Sequence, residues 1–186
     1  LANLRTTPNM SVWRPCDNVE SAVAWKAAIE KQSGPTSLVF SRQNLPHQAR
    51  SDEQVQGISR GAYILKDCEG EPSVIVLATG SEVPISLAAV ESLQAEGVKA
   101  RLVSIPCVDV FEAQNAEYRE QVLPNVVRHR IAVEAAGVDY WHKLVGLDGK
   151  VIGMRTFGES APGALLMEHF GFTAENIIAT AKSFGS

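Results

Sequence analysis

The alternation in the second half of this chain most constrains what it can fold into. Val74-Ile75-Val76-Leu77-Ala78 is an uninterrupted apolar run, as expected of a strand covered on both faces. Thr79-Gly80-Ser81 turns it into a helical stretch from about residue 82 to 96, stopped by Gly97. The pattern then repeats. Residues 100–105, 130–134 and 150–154 read as further strands, and helices are expected over 113–123, 138–145, 163–170 and 174–184. Strands that alternate with helices in this way build a mostly parallel sheet with crossover connections. Residues 61–66 read as an edge strand, turned through 67–72 with Gly70 at the bend. The expected fold is α/β: a three-layer α/β/α domain over 61–186, with one antiparallel edge strand.

The first part of the chain has a different rhythm. Residues 1–5 read as the end of a helix, broken by Thr6-Thr7-Pro8-Asn9. A short strand over 10–14 stops at Pro15, and Asp17 or Asn18 can cap a helix through about Lys31. Val19, Ala22, Val23, Ile29 and the stem of Lys26 are expected near one face, with Trp25 anchoring the helix in the core. Gly34-Pro35 ends it, and the apolar run 36–40 reads as a buried strand. This is too little sheet to stand alone. Residues 1–45 are therefore expected to be the tail of a second α/β domain. The polar segment 46–60 has the make-up of a linker over the surface.

Composition excludes several classes. Seventeen basic against 21 acidic residues give a net charge of −4 without blocks, which argues against a nucleic-acid or membrane-surface partner. Cys16, Cys68 and Cys107 are odd in number and form no metal-ligand spacing, so they read as reduced thiols. No apolar run approaches the ~20 residues of a membrane span. A soluble, cytoplasmic protein is expected.

Few turns could carry chemistry. Ser41-Arg42-Gln43-Asn44-Leu45 follows the strand at 36–40, and such a strand delivers what comes next to the sheet edge where α/β folds bind ligands. The planar fork of Arg42 suits a phosphate or carboxylate; the alternative is an arginine paired with an acid. At Gly80-Ser81-Glu82 the free amides could hold an anion, or Ser81 could simply cap the helix, with Pro84 in the first turn. That anion reading supports an alternative function, a stand-alone module binding a nucleotide or regulatory anion. Glu134, at a strand end, has no histidine or serine at a partner's spacing. It is expected to cap the amides around Gly137 or to join an interface ion pair. Ser160 reads as a helix cap with Pro162 early in the helix. His47 reads as a solvent-facing linker histidine, and His129, His142 and His169 form no metal motif.

Taken in order, Leu4-Arg5, Thr7-Pro8-Asn9-Met10, Trp13-Arg14-Pro15-Cys16-Asp17, Glu20-Ser21-Ala22, Ser41-Arg42-Gln43-Asn44-Leu45, Ala78-Thr79-Gly80-Ser81-Glu82-Val83 and Thr156-Phe157-Gly158-Glu159-Ser160-Ala161-Pro162 resemble the bacterial transketolase family. The resemblance runs from residue 1 to about 184. It implies an enzyme of the pentose phosphate pathway that moves a two-carbon ketol unit between sugar phosphates. Thiamine diphosphate and a divalent metal (magnesium or calcium) would assist it, in a homodimer with active sites between subunits. The chain would hold the end of the pyrimidine-binding domain and the whole C-terminal domain. The family's role for the arginine of this motif, contact with the substrate phosphate, carries over to Arg42 alone. The cofactor-activating glutamate and the metal motif would lie upstream of Leu1. No catalytic, cofactor or metal residue is therefore expected here, and the portion alone is expected to be inactive.

Overall fold

The computed structural model describes residues 1–185. The N-terminal part folds as helix α1 (Ala2–Arg5), strand β1 (Ser11–Trp13), helix α2 (Asn18–Glu30) and strand β2 (Thr36–Leu38). β1 and β2 pair in parallel, Ser11 opposite Thr36 and Trp13 opposite Leu38. α2 begins where expected, because the Asp17 carboxylate accepts the Glu20 N–H at 3.0 Å and satisfies a free amide of its first turn. Helix α3 (Asp52–Ile58) follows.

The remaining elements are β3 (Tyr63–Lys66), β4 (Val74–Ala78), α4 (Glu82–Ala95), β5 (Ala100–Ser104), α5 (Val108–Glu112), α6 (Ala116–Val122), β6 (Arg130–Gly137), a 3-10 turn (Asp139–Trp141), α7 (His142–Val145), β7 (Lys150–Met154), α8 (Gly163–His169) and α9 (Ala174–Lys182). Their strands form one sheet in the order β3-β5-β4-β6-β7. Only β3 runs antiparallel, along β5, while β5, β6 and β7 join through parallel ladders. This is the mostly parallel sheet with an antiparallel edge that the alternation predicts.

Two cores make the three layers. Val74, Val76 and Ala78 of β4 point to one face, where Val83, Val90 and Leu93 of α4 and Ile177 of α9 cover them. Ile75 and Leu77 point to the other face, against Val108 and Phe111 of α5, Val122 of α6 and Trp141. Every β4 residue is buried, so its sequence is apolar throughout instead of alternating. Trp13, Cys16, Ala24 and Ile58 belong to the first of these cores. The N-terminal part thus shares its apolar interior with the sheet.

Several expectations need correction. Trp25 is not an anchor: it is 55% exposed and stacks on Phe40 at 6.4 Å between ring centroids. α2 buries Glu20 and Ala24 instead, and Ile29 also faces outward. β2 is half-buried, because its only ladder among the described residues is with β1. The polar segment 46–60 does not simply run over a surface. Ser51 and Gln54 form a reciprocal capping box that starts α3, and Gln48 is buried. The helix expected over 113–123 is the shorter α6, capped by Asn115, which accepts the Tyr118 N–H at 2.9 Å, and a further short helix, α5, precedes it. The stretch 138–145 begins as a 3-10 turn. Ser160 caps nothing, and Pro162 holds the N-cap position of α8.

Candidate functional site

In a sheet of this order the connections leaving β4 and β6 diverge, opening a crevice at the carboxyl ends of these neighbouring strands where α/β folds bind ligands. Here the N-terminal part fills it. Arg14, directly after β1, donates from Nη1 to the Thr79 carbonyl at 2.6 Å and to the Glu82 carboxylate, and from Nη2 to Ser81 Oγ at 3.1 Å. Glu134 is not at the strand end that the sequence suggested but inside β6, just past the last residue paired with β4, and lies 3.7 Å from the same guanidinium. The main chain is held too, since Thr79 Oγ1 donates to the Arg14 carbonyl at 3.0 Å and the Arg14 N–H reaches Pro106 O at 2.8 Å. Gly80 permits this approach. Its φ is +58°, and a Cβ there would stand 2.8 Å from Arg14 Cζ.

Arg5 makes a second plug. Its two Nη groups donate to the two Glu134 oxygens at 2.6 Å each, a bidentate pair. Its guanidinium lies 5.2 Å from the Tyr140 ring centroid and 5.4 Å from that of Trp141. Trp141 Nε1 also donates to Glu134 at 2.8 Å. Burial pushes the Glu134 carboxyl up, but the Arg5 hydrogen bonds, the Arg5 and Arg14 charges and Trp141 outweigh it, holding it below the usual range. Burial likewise pulls Arg14 down, while Glu82 and Glu134 more than restore it. Of the two readings of Glu134, the ion pair is the one found. The possible anion cradle at Gly80-Ser81 is instead an acidic socket for guanidinium. Ser81 holds the N-cap position of α4, but its side chain caps no amide; the hydroxyl donates to Glu82 Oε1 at 2.6 Å.

A second buried network lies at the end of β5. Glu20, fully buried, accepts from Tyr63 Oη at 2.8 Å, Ser104 Oγ at 2.6 Å and the Cys16 N–H at 2.7 Å. Beside it, Asp17 accepts from Arg50 Nη1 at 2.6 Å and the Gln48 N–H at 2.9 Å. Burial raises the Asp17 carboxyl; the bonds from Arg50, Gln48 and Glu20 and the Arg50 charge bring it below its ordinary value. Burial, with Glu20 and Asp17 nearby, pushes the Cys16 thiol far up despite Arg50, so Cys16 is an inert core thiol. Cys107, likewise raised by burial and Asp109, is another.

Arg42 stands apart from these networks. It is exposed on the loop after β2. Gln43, its neighbour, lies against the start of α8, where a Cβ on Gly163 would be 2.6 Å from the Gln43 amide nitrogen. His47 is 62% exposed, its Nδ1 3.4 Å from Asn18 Oδ1. The structure does not bring His129, His142 and His169 together: His129 stacks on Phe184, and His169 lies 3.8 Å from Glu159.

A sequence model of the transketolase pyrimidine-binding domain matches residues 1–48. A model of the transketolase-like C-terminal domain matches residues 61–173, more than half of the chain. The chain belongs to the transketolase family. It is similar to Transketolase 1 of Escherichia coli (strain K12), 61% identical over 98% of this chain and 28% of that protein. To Transketolase 1 of Vibrio vulnificus (strain YJ016) it is 60% identical over 98% of this chain and 27% of that protein. Among solved structures, transketolase from Leishmania mexicana superposes with a TM-score of 0.89 at 37% identity, covering all of this chain and 27% of that one. A protein described as a split gene transketolase, inactive beta4 tetramer, gives 0.76 at 25% identity over 98% of this chain and 60% of its own. The chain thus spans little more than a quarter of the curated transketolases it matches.

Within this transketolase chain, sequence reasoning picked out Glu134 and Arg42 but passed over Arg5, Arg14, Glu20 and Arg50. One signal was available. Arg14 and Asp17 flank the Pro15 break, and charged residues beside a strand end must find partners if that end is buried.

Proposed function

We propose that this chain is the C-terminal portion of a transketolase, and that Arg42 is its contact with the phosphate of the sugar substrate. The observation that carries the reading is the place of Arg42: it follows β2 in the part matched by the pyrimidine-binding model, whereas Arg155, equally exposed and unpaired among the described residues, follows β7 in the C-terminal domain. Arg5, Arg14 and Arg50 are each paired with a buried carboxylate. Arg42, on a loop at a strand end, is exposed and makes no hydrogen bond or ion pair among the described residues. A guanidinium held at a strand end without an internal partner is available for an external anion.

The enzyme would transfer a two-carbon ketol unit between sugar phosphates. Thiamine diphosphate supplies, when bound, the electron sink for cleaving the donor ketose. Among the described residues no three His, Cys, Asp or Glu side chains converge to hold a metal ion. No step through that group is assigned to the side chains of this portion. What Arg42 contributes is binding and orientation at the phosphate end of the sugar, away from the bond that is cleaved. Similarity to a split gene transketolase described as inactive supports the view that this portion alone is inactive. We assign the exposed Trp25, Ile29 and Phe40 to contacts with the rest of the pyrimidine-binding domain, in a homodimeric, cytoplasmic enzyme. Among the described residues no helix is long and apolar enough to cross a membrane.

Replacing Arg42 tests the reading. In a full-length transketolase carrying this sequence, Arg42→Ala should lower kcat/KM for ketose phosphates about ten- to a hundredfold, the value of a charge-assisted contact. Hydroxypyruvate, a donor without phosphate, should be used as before when the acceptor is also unphosphorylated. Equal losses on both donors would remove Arg42 from the phosphate site.

A further inference from the structure

The loop bearing Arg42 has no regular structure between β2 and α3, so its placement depends on what holds its two ends. The upstream end is fixed by the sheet: the Val39 N–H donates to the Trp13 carbonyl at 2.8 Å, extending the β1–β2 ladder. The downstream end is fixed by one carboxylate. Asp17, its side chain 1% exposed, takes the Gln48 N–H at 2.9 Å and Arg50 Nη1 at 2.6 Å on the same oxygen. Its other oxygen caps α2 through the Glu20 N–H. Arg50 is in turn locked by Tyr63 Oη at 2.7 Å and the Gln48 carbonyl at 2.8 Å, with Glu20 at 3.7 Å. His47 also faces Asp17, its Nδ1 3.6 Å from that oxygen.

We propose that Asp17 is a positioning residue for Arg42, tying the downstream end of its loop to the corner between β1 and α2 so that the guanidinium is held where it meets the substrate phosphate. This rests on the reading of Arg42 given above. Asp17 touches no substrate. Its contribution is pre-organisation: with one end released, the loop samples many placements of Arg42, and ordering it again on binding weakens the hold on the phosphate. Hydroxyl or carboxyl side chains both cap helices well. Serine at position 17 would therefore keep the cap on α2 while removing the tie to Gln48 and Arg50.

The test uses a full-length transketolase with this sequence and an unphosphorylated acceptor aldehyde, so that only the donor differs. Asp17→Ser should raise KM for a ketose phosphate about tenfold, with kcat and the hydroxypyruvate kinetics within about twofold. On an Arg42→Ala background the same substitution should add less than about twofold, because residues that act through one contact are not additive. If Asp17→Ser yields no soluble enzyme, Arg50→Lys keeps the charge, loses the fork, and should shift KM in the same direction by about threefold. Equal losses on both donors, or full additivity with Arg42→Ala, would overturn the positioning role while a selective Arg42→Ala leaves the phosphate reading standing. An unselective Arg42→Ala would overturn both.

Discussion

Glu134 and Asp17 are buried carboxylates, one within β6 and one at the start of α2, each ionised because an arginine from elsewhere in the chain meets it. Removing one partner of such a pair leaves a buried charge uncompensated. Glu134→Gln should therefore destabilise the chain by about 3–5 kcal/mol, read as a lowered urea midpoint. The pH dependence follows from the same contacts. Both carboxyls titrate lower in the folded chain than in the unfolded chain, where they titrate near about 4. The unfolded chain then binds more protons in that interval. The stability these groups supply is complete above about pH 5 and is lost as the pH falls through the lowered folded values. The urea midpoint should drop from pH 5 to pH 3, and drop less steeply in Glu134→Gln; an unchanged slope would remove Glu134 from that account. The loop position of Arg42 was legible in the sequence because it follows the apolar run that contains β2. Glu20 was not, since it is buried by Tyr63 and Ser104, which lie 43 and 84 residues away.

Among the elements, α3 shows why a polar stretch can still be structural. Ser51 accepts the Gln54 N–H, and Gln54 Oε1 accepts the Ser51 N–H. The Gln54 amide nitrogen also donates to the carbonyls of Ile64 and Leu65 at 2.9 Å. One side chain thus starts a helix and covers acceptors on the edge strand β3. Gln54→Ala should cost about 1–2 kcal/mol, since it removes half of the capping box and these bonds. Thermal melting of the variant would check it; an unchanged melting temperature would show that α3 does not hold the edge. The parallel strands were readable from sequence because burial on both faces makes them apolar throughout. The inward face of α2 was readable only in part. Val19 and Val23 pack half-buried against the core as expected, with Ala27 beside them, but the fully buried positions are Glu20 and Ala24, while Trp25 and Ile29 face out.

Across the molecule, the apolar core beneath α4 and α9 continues into Trp13, Cys16 and Ala24, and the crevice of the sheet is filled by Arg5 and Arg14. Residues 1–60 and the sheet domain should therefore unfold together. Urea titration followed by tryptophan fluorescence and by far-UV circular dichroism should give one coincident transition. Two separated transitions would show that the parts are independently stable. Strand order and the filled crevice were out of reach of the sequence, because both depend on which distant segments meet. The central claim is that this assembly presents Arg42 to the phosphate of a sugar. Its most direct test is a crystal structure of the full-length transketolase with a ketose phosphate bound. The account predicts Arg42 nitrogens within about 2.7–2.9 Å of phosphate oxygens, with the loop still tied to Asp17. A phosphate held elsewhere, with Arg42 left in solvent, would contradict it.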